Sequence, residues 1–168
     1  RDPFAAQHSS RVAKVARSVA KEMGLTEVEI ETADIAGNLL NLGKILIPQE
    51  VLSKTGQLTD AERDMIRNSI QTSADLLQGI EFDGPVVLTL RQAQENWDGS
   101  GQPAGLSGDN ILVTARVIAV ANALIGMISN RAFRSALSVD DAIENLAVML
   151  TAAGCNYFMG VPMGDDSM

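Results

Sequence analysis

The run LVTARVIAVANALIGMI, residues 112–128, is broken by polar side chains only at Thr114, Arg116 and Asn122. It exceeds the length of an ordinary strand and falls short of the roughly 20 apolar residues that span a bilayer. In an otherwise helical chain, the run predicts a helix buried on most of its sides. With the helical punctuation of the rest of the chain, it points to an all-α bundle.

The remaining punctuation agrees. Asp2 before Pro3 reads as an N-cap with proline at the first helical position, and Val12, Val15, Ala16, Val19 and Met23 then recur at helical spacing until Gly24 stops the helix. Thr26 with Glu29 forms a capping-box pattern that opens a second helix reaching about Asn41. Thr59 with Glu62 repeats the pattern for a third helix, in which Met65, Ile66, Ile70 and Leu76 mark the buried stripe. Gly84-Pro85 begins a fourth helix, and Ser138 with Asp141 opens the last one. The reading is a bundle of about six or seven helices over residues 1–152, followed by an irregular tail, 153–168.

Composition narrows the function. Aromatic residues make up 4% of the 168 residues, so the core must be built from Ala, Val, Ile, Leu and the seven methionines. A formal charge of -8 argues against a nucleic-acid or anionic membrane partner, both of which need clustered Lys and Arg. The lone Cys155 excludes an internal disulfide and fits a reducing, cytoplasmic setting. With one histidine in the chain, His8, no second imidazole exists to activate that thiol. The chain opens on Arg1, which suggests a fragment of a longer regulatory protein.

Between the fourth helix and the long apolar run lies NWDGSGQPAGL, residues 96–106, with the glycines and proline of a tight loop. This loop, together with RDPFAAQHSSRVAKVA, LLNLGKILIP and ARVIAVANALIGMISNRAFRSALS, stands in the order and at the spacing of the HD-GYP family. The chain resembles that family over about residues 1 to 150. The resemblance implies a helical domain of the HD superfamily of metal-dependent phosphohydrolases. It also implies cyclic di-GMP hydrolysis at a bi- or trinuclear metal centre, with an attached receiver or sensor module.

Residue by residue, the resemblance places His8 at the first metal-binding histidine. Leu40-Asn41 stands at the His-Asp pair, Ser69 at a third-helix histidine, Ala93-Gln94 at two adjacent histidines, and Asn122 at a ligating aspartate. Leucine has no donor, and neutral amides are poor substitutes for bridging carboxylates. Too few donors remain for a stable transition-metal site, and without the ion there is no activated water. The expectation is therefore a chain that is not an enzyme and holds no metal or other cofactor. The exchanges are coherent, since Asn for Asp and Leu for His leave no unpaired charge in an empty cavity.

Lys44 and Arg134 match phosphate-facing cations in the family, and equally suit capping or ion pairs. Gln102 replaces the name-giving tyrosine and Ser135 a lysine, while Glu95, Trp97, Asp98, Gly99, Gly101 and Pro103 keep the loop. Trp97 reads as a core plug, Asp98 as a cap within its own turn, and His8 as a part-buried histidine bonded to a neighbouring acceptor. The leading expectation is an inactive HD-GYP domain that dimerises or docks onto a partner, such as a diguanylate cyclase domain, in cyclic di-GMP or two-component signalling. A receptor that binds cyclic di-GMP without cleaving it is the alternative. The third is an active phosphodiesterase with an unconventional site built on Glu95, Asp98 and His8.

Overall fold

The computed structural model describes residues 3–54, 56–129 and 136–152, with residues 3–6 and 146–152 described as backbone. The expectations for Asp2, Arg134, Ser135, Cys155 and the tail lie outside those residues.

Eight α-helices and no strand are found among the described residues, in agreement with an all-α fold. In chain order they are α1 (Pro3–Glu22), α2 (Glu27–Leu39), α3 (Gln49–Leu52), α4 (Asp60–Arg67), α5 (Ser69–Leu76), α6 (Val86–Gln92), α7 (Val113–Met127) and α8 (Val139–Ala152). Single turns of 3-10 helix cover Leu42–Leu46 and Gly108–Asn110. Local chemistry explains the starts. Thr26 and Thr59 each accept the backbone N–H three residues on, while Glu29 and Glu62 accept the cap N–H in return. Both glutamates are held below the ordinary carboxylate range, Glu29 chiefly by its bonds with Thr26, and Glu62 first by the hydrogen bond from Lys54 and then by the Thr59 N–H.

The core is an alanine-rich seam. Val12, Ala16 and Ala20 of α1 meet Ile30, Ala33 and Ala36 of α2, and Val117, Ile118, Ala121 and Ile125 of α7 close over them. Leu77, Val86, Leu90 and Ala93 carry the seam to the turn after α5 and to α6. Small side chains let the axes approach closely. At Gly37 a Cβ would stand 2.6 Å from the Cα of Ala13, so α1 and α2 touch backbone to backbone. The apolar run of residues 112–128 is α7, and no residue between Ile111 and Ser129 is exposed.

The third helix expected from the sequence is two helices, α4 and α5, divided at Asn68, whose N–H closes back on the carbonyls of Asp64 and Ile66. The break turns the face, so Met65 and Leu76 are 42% and 41% exposed rather than buried. In their place α5 buries Ser69, Ser73 and Ala74. The backbone of Gly43 lies directly against that of Ser69 and Ser73, so no side chain fits at position 43. The split, together with the short α3, raises the helix count above the six or seven expected.

Gly37→Ala should lower stability by about 1–3 kcal/mol, because the added methyl meets backbone atoms that cannot swing aside. Urea denaturation followed by circular dichroism measures it, and an unchanged midpoint would show that the two helices can separate at little cost.

Candidate functional site

The end of α2 collects most of the positions singled out in the sequence. Leu40 is 1% exposed and sits in the apolar seam. Its neighbour Asn41 turns the other way, and its Nδ2 donates to Ser9 Oγ of α1 at 2.8 Å. One residue before Ser9, His8 Nε2 meets Asn122 Oδ1 of α7 at 2.8 Å. α1, the turn that follows α2, and α7 are thereby joined by two hydrogen bonds at adjacent residues of α1. The half-buried Lys44 follows on the 3-10 turn Leu42–Leu46, its N–H donating to the carbonyl of Asn41.

Ser69 and Ser73 pack against the same turn. Ser69 Oγ donates to the Ile66 carbonyl at 2.7 Å. Ser73 Oγ lies 3.0 Å from the carbonyls of both Leu40 and Ser69, and accepts the N–H of Gly43 at 2.7 Å. Ala93 is buried in the seam with Leu40, whereas Gln94 reaches out, its Nε2 donating to the Arg67 carbonyl at 2.8 Å. Gln71, not singled out in the sequence, donates to the Arg91 carbonyl at 2.8 Å and bridges α5 to the end of α6. Such a residue leaves no sequence signal, because its partner is a backbone carbonyl set by the fold.

The glycine-rich loop has its own anchor. Glu95 is 6% exposed, and its two carboxylate oxygens accept the N–H groups of Ala104 and Leu106 at 2.7 and 3.0 Å. The loop's two ends are thus tied to one side chain. Gly99 adopts φ +82°, which only glycine takes without strain. Gly101 lies against the backbone of Glu95 and Asn96 so closely that no side chain fits. The exposed Gln102 donates its N–H to the Gln94 carbonyl, and Pro103 is likewise exposed.

Asp98 caps its own turn, accepting the Ser100 hydroxyl at 2.6 Å and the Ser100 N–H at 2.9 Å. Those two bonds hold its carboxyl below the ordinary aspartate range. The Arg116 guanidinium covers the face of the half-buried Trp97, 5.2 Å from the ring centroid, and reaches Asp109 at 3.2 Å. The indole is therefore a platform shared with a cation rather than a plug deep in the core.

The site residues do not fit a transition-metal centre of the kind the resemblance implies. Such a centre needs about three or four imidazole, thiolate or carboxylate donors aimed at one point. Among the described residues no three His, Cys, Asp or Glu side chains converge in that way. His8 is bonded to a carboxamide and Glu95 to backbone N–H groups, so the donors that remain are engaged with protein partners.

Residues 1–152 match the HD domain family. The chain belongs to the HD domain family. Among its relatives is the cyclic di-GMP phosphodiesterase response regulator RpfG of Xanthomonas campestris pv. campestris, 34% identical over 148 residues that cover 87% of this chain and 39% of that protein. A cyclic di-GMP phosphodiesterase of Thermotoga maritima is 29% identical over 151 residues, 87% of this chain and 40% of its own. The chain spans about two fifths of the length of these relatives. In fold it is similar to Bd1817, a HDG"Y"P protein from Bdellovibrio bacteriovorus, with a TM-score of 0.69, 18% identity and coverage of 86% of this chain and 46% of that one. The resemblance to HD-GYP proteins drawn from the sequence is borne out by these relatives.

The same relatives correct the expectation that the chain is not an enzyme, since those it matches over most of its length are named as phosphodiesterases. That expectation came from subtracting histidines and carboxylates from a motif. The missing donors bear on one kind of metal centre and not on what the domains of the family do.

Glu95→Ala should release the loop by leaving two backbone N–H groups without their charged acceptor. Hydrogen exchange at Ala104 and Leu106 is expected to accelerate by about tenfold or more. Unchanged exchange there would show that the loop is held by its glycine geometry alone.

Proposed function

We propose that the chain works on a cyclic dinucleotide of the cyclic di-GMP type, as the HD domain of a phosphodiesterase-type signalling protein. The observation that carries this reading is the 34% identity to RpfG across 87% of the chain. The place best suited to the ligand is the end of α2, where α1 and α7 meet it and Lys44 stands one turn beyond Asn41. A lysine there supplies a point charge for a phosphate. Arg134, beyond the described residues, is the second cation of the same reading. Carboxamides at Asn41 and Asn122 can both donate and accept, which suits the polar edges of a purine.

Calorimetric titration with cyclic di-GMP tests it, with linear product counted in the same samples to measure cleavage of the bound nucleotide. Saturable binding at about 10 µM or tighter is expected, and Lys44→Ala should weaken it by about tenfold. Absence of binding at about 100 µM protein and nucleotide would overturn the reading.

A second reading, that the domain also docks onto a protein partner or a second copy of itself, is favoured by Ile45 and Leu46. These side chains are 69% and 62% exposed on the turn that carries Lys44. Two adjacent aliphatic groups left in water beside a polar cluster suit a protein contact. Sedimentation of the Ile45→Ser, Leu46→Ser double variant checks this reading. Loss of self-association or partner binding with an unchanged melting temperature is expected, and unaltered association would remove the turn from consideration.

A further inference from the structure

The residues at the family's ligand positions are more than missing donors, because each polar one has found a protein partner. His8 is bonded to Asn122, Asn41 to Ser9, Ser69 to the Ile66 carbonyl and Gln94 to the Arg67 carbonyl. Leu40 and Ala93 have joined the apolar seam. Among the described residues, the one buried side-chain polar atom without a hydrogen-bond partner is Arg116 Nε, which belongs to the loop and not to this cluster. The two bonds at His8 and Ser9 also tie α1 to α7 and to the end of α2.

We infer that the crossing of α1, α2 and α7 is a hydrogen-bonded clamp built without carboxylates, and that it holds the fold together without any divalent cation. Where carboxylates converge on cations, removing the ions leaves like charges facing one another in a partly dry site, and the fold loosens. Here asparagine stands at two such positions, and among the described residues no carboxylates converge for an ion to compensate. Stability should then be flat in metal concentration, because an ion stabilises a protein only through a site in the folded state. The clamp joins the helices whether or not a nucleotide binds beside it.

The test is thermal melting of the natural protein, purified without chelator and without added metal, in EDTA and in about 1 mM Mn²⁺, alongside its metal content by plasma mass spectrometry. No nucleotide is present, so the outcome is separate from that of the binding titration. Melting temperatures agreeing within about 1 °C, with no metal co-purifying, are expected. A site of about 10 µM affinity would raise the melting temperature by roughly 5–10 °C under these conditions; such a rise, or one ion per chain, overturns the inference. Asn122→Ala should lower the melting temperature by several degrees, equally in EDTA and in Mn²⁺. A loss that Mn²⁺ reverses would also overturn it, and should that variant fail to fold, the melts of the natural protein still decide.

Discussion

Everything in this bundle rests on how closely α1 and α2 approach each other. Gly37 lies against the backbone of Ala13, with Val12, Ala16, Ala33 and Ala36 beside them. Alanine and glycine contribute little apolar area each, so such a seam gains its stability from close backbone contact and dense dispersion contacts rather than from large buried side chains. That closeness has a geometric consequence. With the two axes drawn together, the end of α2 is carried to within hydrogen-bond reach of Ser9, and α7 can lie across both helices with Asn122 against His8. A wider crossing would separate the polar groups before they could meet.

The same constraint selects short polar side chains on α5. The 3-10 turn after α2 runs at backbone distance from that helix, and the Ser73 hydroxyl bonds the buried backbone groups of Leu40 and Gly43. Polar residues buried in this region are therefore satisfied by the main chain of neighbouring elements, which is the ordinary fate of buried hydroxyls. The glycine-rich loop is organised on a separate principle, one carboxylate gripping two N–H groups at its far end. The ligand-position cluster and the loop are thus held by different chemistry, carboxamide and hydroxyl bonds between helices in one and a carboxylate acceptor in the other.

Much of the fold was legible in the sequence because it is written in local signals. Both Thr-x-x-Glu capping boxes formed, and Ser138 with Asp141 bonded as its spacing suggested. The apolar run became the buried α7. The stripe through Met65 and Leu76 does not hold, because periodicity assumes a continuous helix and a single bond closure at Asn68 resets the face. Motif spacing also carried the family, which the relatives bear out. The expectation of inactivity drawn from the same motifs is overturned by those relatives, because missing ligands describe one mechanism and not the capacity of a family.

The sequence by itself determined where the capped helices α2, α4 and α8 begin, that no large aromatic core exists, and which residues occupy the family's motif positions. These depend on neighbours a few residues apart, whose caps and periods are local chemistry. Only the tertiary structure decided that His8 pairs with Asn122, that Asn41 pairs with Ser9, and that Glu95 spans the loop. His8 and Asn122 are 114 residues apart in the chain. A contact at that separation is set by the interaxial distances of packed helices, and no local pattern encodes those.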